Sequence, residues 1–151
     1  MVRSLEGKHP MYFEAILQLR KPLPEIVTFV EEEIARAGIP IVKQEEVRNG
    51  YDYYVADSNF TKALGKKLQQ QFGGEMIITS SLHTKKDGKD LYRITVLFRT
   101  TSFRKGDKVQ YKGDSYTVTQ ISKDILLQET KTGKKVRVKY KEMSLVKPVT
   151  S

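Results

Sequence analysis

The chain has 151 residues, a net charge of +9 at pH 7, no cysteine, 38% hydrophobic residues and 30% charged residues. That length holds one ordinary domain or two small ones. The lack of cysteine excludes disulfides and thiolate metal sites, and no apolar run approaches the roughly 20 residues of a membrane-spanning helix. The basic balance favours a polyanionic partner, nucleic acid or an anionic membrane, and an intracellular protein is the simplest expectation.

The charge is unevenly placed. Residues 1–101 carry 15 Lys and Arg against 13 Asp and Glu, whereas residues 102–151 carry 12 against 5. The shift coincides with a change of structural pattern, so a domain boundary is placed there. An unstructured leader is expected over residues 1–9, an α+β domain over 10–101 and a small basic β-barrel over 102–148.

In chain order, Met11 to Arg20 mixes bulky apolar and polar positions and reads as a strand, with helix as the competitor because Glu, Ala, Leu and Gln are good helix formers. Lys21-Pro22-Leu23-Pro24 breaks it, and Pro24 suits the first turn of a helix whose stripe is Ile26, Val27, Phe29, Val30 and Ile34. Gly38 ends that helix. Its acidic run Glu31, Glu32 and Glu33 reads as a solvated face, with contact to a basic partner as the alternative. Ile39 to Val47 forms a second strand, and Arg48-Asn49-Gly50 contains the Asn-Gly hairpin signal that leads into a third, Tyr51 to Val55. Ser58 is placed to cap a second helix bearing Phe60, Ala63, Leu64, Leu68 and Phe72, stopped by Gly73-Gly74. Met76 to Thr84 and Leu91 to Thr100 are two more strands around an Asp87-Gly88 turn. Leu91, Ile94, Val96 and Phe98 do not alternate cleanly, so a bulge or a strand buried on both faces is expected. The order β-α-β-β-α-β-β implies an α+β sandwich, one mixed sheet with both helices on one face.

From Phe103 the pattern turns to short strands: Lys108 to Lys112, Tyr116 to Ser122, Ile125 to Glu129 and Lys135 to Lys139. Their turns lie at Gly113-Asp114, Lys123-Asp124 and Thr132-Gly133, and Tyr140 to Val146 closes with a last turn and strand. This reads as a small all-β barrel.

The main functional signal is basic. Lys131, Lys134, Lys135, Arg137, Lys139 and Lys141 cluster on one hairpin. Strand alternation points Val136 and Val138 one way, and Arg137 and Lys139 the other, with Lys135 and Lys141. A stripe of like charge suits phosphate neutralisation and strongly salt-dependent binding; the competing reading is a set of solubilising surface lysines. Lys85, Lys86 and Lys89 form a second, smaller candidate RNA-binding patch. Tyr51, Tyr53, Tyr54, Tyr92, Phe98, Tyr111 and Tyr116 are either core or stacking platforms for unpaired bases; Tyr53 and Tyr54, being adjacent, face opposite sides. His9 and His83 are far apart and in no ligand or nucleophile spacing. Gly65-Lys66 lacks the remaining residues of a P-loop. No catalytic residue, metal site or cofactor is expected, and the chain does not read as an enzyme.

Several runs also resemble one family. They are Tyr12 to Arg20, Gly50-Tyr51-Asp52-Tyr53-Tyr54 with the Ala63-containing helix, Ser81-Leu82-His83-Thr84, and Arg93-Ile94-Thr95-Val96 leading into Phe103-Arg104-Lys105-Gly106-Asp107-Lys108-Val109. In this order, over roughly residues 10–146, they are similar to the Nmd-three family of large ribosomal subunit assembly and export adaptors. The resemblance implies a domain similar to ribosomal protein L twenty-two followed by an SH3-like barrel similar to translation factor five-A. It also implies binding to the large subunit near its tRNA exit and intersubunit face. The family's N-terminal zinc modules and the eukaryotic leucine-rich export tail have no counterpart here, which fits a fragment of an archaeal-type member. No lysine sits in a loop like the factor's modified one, so no modification is carried over.

The function expected is that of a cytoplasmic, monomeric ribosome-binding factor acting in late large-subunit maturation or quality control. Its partners would be rRNA and ribosomal proteins, with no membrane and no small-molecule substrate. The alternatives are a KOW-type RNA-binding translation or transcription factor, and a protein–protein adaptor using the sheet edge or acidic helix.

Overall fold

The computed structural model describes residues 12–86 and 88–149, with the backbone alone described at 83–86 and 89–91. The expected leader, His9 and Asp87 lie outside the described residues. Among the described residues, ten strands form two sheets, with two α-helices in the first region. The first sheet contains β1 (Ala15–Arg20), β2 (Ile41–Val47), β3 (Gly50–Val55), β4 (Glu75–Lys86) and β5 (Lys89–Arg99), with α1 (Pro24–Ala37) and α2 (Ser58–Phe72) between them. Its strand order is β2-β3-β1-β5-β4; β1 runs parallel to β5 and antiparallel to β3.

The odd positions of β1 explain the layer. Ala15, Leu17 and Leu19 are wholly buried together with Tyr53, Val55, Ile94, Val96 and Phe98 from the neighbouring strands and Ile26, Val30, Ile34, Leu64 and Leu68 from the helices. Both helices therefore cover one face of a mixed sheet, as the alternation of β1 and the 3.6-residue stripes require. Burying each such Leu or Ile contributes about 1.5–3 kcal/mol, which overrides the helix-forming composition of the first strand. Gly65 serves this packing: a Cβ there would lie 2.7 Å from Val96 Cγ1 and 3.0 Å from Met76 Sδ, so the helix gives up propensity to approach the sheet.

Three expectations need correction, and a fourth is settled between its alternatives. Asp57, not Ser58, caps α2: its carboxylate accepts from the Phe60 N–H at 2.9 Å, while the Ser58 N–H donates to Glu14 Oε1 at 2.9 Å. The first hairpin turns on Arg48-Asn49, with Val47 opposite Gly50 and Asn49 at φ 68°. Gly50 is already in the strand, where a Cβ would stand 1.8 Å from the Leu19 carbonyl oxygen; its glycine answers a close approach, not the turn. The irregularity expected around Leu91 is a bulge in β4, where Leu82 faces Tyr92 and Thr84 faces Leu91. The acidic run of α1 is not simply a solvated face. Glu33 is buried and pairs with Lys67 of α2 at 2.9 Å and with Arg36, and Glu31 accepts from the Tyr53 hydroxyl at 3.1 Å.

The second sheet has the order β10-β6-β7-β8-β9, from β6 (Lys108–Tyr111), β7 (Asp114–Ile121), β8 (Ile125–Glu129), β9 (Lys135–Val138) and β10 (Lys147–Pro148). A 3-10 helix, Tyr140–Leu145, precedes β10. Every pair is antiparallel, but β9 and β10 remain edges, so the expected barrel is not closed. Its separate core holds Phe103, Val109, Tyr111, Tyr116, Val118, Ile125, Leu127, Val138 and Val146. Arg104 reaches Glu25 of α1 at 3.2 Å, and the Tyr140 hydroxyl donates to the Ser122 carbonyl. Burial pushes the Tyr140 phenol up to about 12.

Candidate nucleic-acid interface

Strand β9 is an edge, and its alternation is built by its register with β8. Ile125 faces Val138 and Leu127 faces Val136 on the core side, while Leu126 faces Arg137 and Gln128 faces Lys135 on the outer side. Val138 is buried, whereas Lys135, Arg137 and Lys139 are exposed. The residues beside these cations across the strand are thus uncharged and do not offset them. A hollow of about 500 Å³ opens on this face, lined by Thr119, Gln120, Leu126, Gln128, Lys135 and Arg137 among others.

Lys131 and Lys134 stand on the β8–β9 turn, which its own polar groups hold in place. The Gly133 N–H donates to the Glu129 carbonyl at 2.9 Å, and the Glu129 N–H to the Lys134 carbonyl at 2.8 Å. The Thr132 hydroxyl donates to Glu129 Oε2 at 3.1 Å, and Gln128 Nε2 to the Gly133 carbonyl at 3.2 Å. Glu129 therefore serves the turn. Among the described residues no carboxylate pairs with Lys131, Lys134, Lys135 or Lys139, and Arg137 has only Asp124, at 3.7 Å. Five cations on one edge with one long ion pair is an arrangement that a row of phosphates would complete.

Lys141 does not belong to that row. The strand ends at Val138, and Lys141 lies in the 3-10 helix, where it lines a different hollow at the junction of the two sheets. Lys85, Lys86 and Lys89 fall at the end of the β4–β5 hairpin, with Lys86 opposite Lys89; their side chains lie outside the described residues. Gln120 and Gln128, which line the hollow beside Lys135 and Arg137, escape a reading of charge alone. The alternation of Tyr116 to Ser122 and Ile125 to Glu129 is the signal that could have found them.

The aromatic candidates divide. Tyr53, Phe98, Tyr111 and Tyr116 are core, with Tyr111 and Tyr116 edge-to-face at 6.0 Å. Tyr54 faces the opposite side from Tyr53 and packs edge-on against Phe13 at 5.0 Å, where Arg93 also lies 3.7 Å over the Phe13 ring. Tyr92 is 55% exposed on β5. Among the described residues no group of three or more His, Cys, Asp and Glu could hold a metal ion, and no helix is long and apolar enough to cross a membrane.

A comparison with curated proteins finds no match. The family model described as NMD3, second domain, matches residues 12–99, a span that takes in the whole of the first sheet and both helices. The chain belongs to the NMD3 family, which is associated with biogenesis of the large ribosomal subunit.

Proposed function

We propose that the protein is a non-enzymatic factor that binds the large ribosomal subunit through rRNA phosphates and acts in late subunit maturation or quality control, as a cytoplasmic monomer. The carrying observation is the outer edge of β9, where Lys131, Lys134, Lys135 and Lys139 have no carboxylate partner among the described residues and Arg137 has one at 3.7 Å. Family membership favours the large subunit as the partner, and the little-paired charge of this edge favours phosphate as what is held. Affinity comes from phosphate neutralisation, and selectivity from the shape presented by the first sheet.

A protein contact in addition is favoured by β4, a 12-residue edge strand that exposes Ile77, Ile78 and Leu82. Co-sedimentation with purified large and small ribosomal subunits tests the reading. Retention on the large subunit alone, weakening as salt rises, is expected. Equal retention on both subunits, or on neither at low salt, contradicts it.

A further inference from the structure

A second basic surface is assembled from parts of the chain that lie far apart in sequence. The end of β1 brings Arg20 and Lys21, the β2–β3 turn brings Arg48 and Asn49, and the end of β5 brings Arg99. Backbone bonds lock these segments together: the Lys21 N–H donates to the Asn49 carbonyl at 2.7 Å, and the Thr100 N–H to the Arg20 carbonyl at 3.2 Å. Between them lies a hollow of about 420 Å³ whose lining, completed by Gln18 and Leu97, includes no carboxylate. It opens on the side of the sheet away from the helices, because Gln18, Arg20, Leu97 and Arg99 alternate with the buried Leu17, Leu19, Val96 and Phe98.

The four cations are not equivalent. Arg20 is held by Asp52 Oδ1 at 2.8 Å and the Leu19 carbonyl at 3.0 Å, and Arg99 lies 3.6 Å from Glu75. Lys21 and Arg48 have no ion-pair partner among the described residues. Lys21 moreover sits at φ 52°, a left-handed conformation uncommon for residues other than Gly, Asn and Asp. Such backbone geometry collects where a side chain is presented for use.

An adjoining hollow of about 320 Å³ shares Lys21 and Arg99 and adds Lys141 and Lys147. Its one carboxylate, Glu75, is the group already beside Arg99. Thr100 also lines it, and the Thr100 hydroxyl has no hydrogen-bond partner among the described residues. Two hollows joined through Lys21 and Arg99 make a track from Arg48 on the first sheet to Lys147 on the second. A single small anion would fill one hollow and leave the other's charge unanswered, whereas a chain of phosphates answers both.

We propose that this track, running from Arg48 through Lys21 and Arg99 to Lys141 and Lys147, binds an RNA backbone across the junction of the two sheets, separately from the β9 edge. The proposal rests on the RNA-binding reading above. The test measures binding to purified large-subunit rRNA over a salt series for the native chain, for Arg48→Gln with Lys141→Gln, and for Lys135→Gln with Arg137→Gln. Leaving two phosphates without their cations makes the slope of log affinity against log salt shallower by about 1.4–1.8, and each double variant is expected to do so. On the native chain, bound rRNA is expected to protect Lys21, Lys141 and Lys147 from acetylation, a readout that needs no variant to fold.

An unchanged slope for the Arg48 and Lys141 variant, with no protection of those lysines, overturns the track. If the β9 variant's slope still becomes shallower in that case, the RNA-binding reading survives alone. Loss of subunit retention without a change on naked rRNA assigns the track to an acidic protein segment and overturns it as well. Absence of rRNA binding by the native chain at low salt removes both proposals.

Discussion

The two sheets spend their charge differently. In the first, several cations are answered from within: Arg20 by Asp52 at 2.8 Å, Lys43 by Glu45 at 3.0 Å, and Lys67 by Glu33 at 2.9 Å, with Lys21 and Arg48 at the strand ends as exceptions among the described residues. In the second, Arg137 and Asp124 at 3.7 Å are the one ion pair between its own described residues, and Arg104 turns instead to Glu25 of the first. The difference in net charge is therefore also a difference in pairing. Charge in the helix-covered sheet mostly fixes packing and strand ends, while Lys131, Lys134, Lys135 and Lys139 on the β9 edge have no carboxylate partner among the described residues. Net charge alone would have separated the regions without showing why.

Three changes would break or sharpen that contrast. Phe98→Ala empties a wholly buried site of the first core and is expected to cost about 3–5 kcal/mol in urea unfolding. The salt slope of RNA binding should not move while the protein remains folded; a changed slope would show that the first core itself sets which cations meet the RNA. Asp57→Ala removes the cap of α2 and is expected to cost about 1 kcal/mol, measured in the same way, whereas Ser58→Ala at the neighbouring position should stay within about 0.5 kcal/mol.

The smallest effect is a pH dependence. The hydrogen bond from Lys67 holds the Glu33 carboxyl below its usual 4.5, with Arg36 adding to the pull. Because the folded value is the lower one, this stabilisation is complete above the ordinary carboxylate range and is lost as pH falls through the depressed folded value. Lys67→Met should therefore flatten the acid limb of the melting temperature, while Lys135→Met should leave it unchanged. Equal flattening by both would erase the distinction between internally paired and unpaired cations.

Much of this organisation is legible in the sequence because it is local. The period-two pattern of Val136 and Val138 against Lys135, Arg137 and Lys139 places the basic edge correctly, and the stripes of Ile26, Val30, Ile34, Leu64 and Leu68 place both helices on one layer. What the sequence hides depends on distant residues. Gly50 has the look of a turn glycine because its contact with the Leu19 carbonyl is 31 positions away in sequence. Ser58 is a sound cap by type, but Asp57 takes the role and Glu14, arriving from before β1, takes the Ser58 N–H. Glu33 becomes structural only when α2 brings Lys67 beside it. The track of Arg48, Lys21 and Arg99 has no sequence signature, since it exists through the central position of β1 between β3 and β5. Lys141 is misplaced by carrying strand parity past Val138 into a 3-10 turn.

The most direct measurement is the salt dependence of binding to purified large ribosomal subunits by the native chain and by the Lys135→Gln, Arg137→Gln variant. If the β9 edge holds rRNA phosphates, the variant's slope is shallower by about 0.7–0.9 for each phosphate no longer neutralised, with its melting temperature unchanged. Identical slopes and affinities would contradict the claim that the cations of this edge are what the ribosome meets.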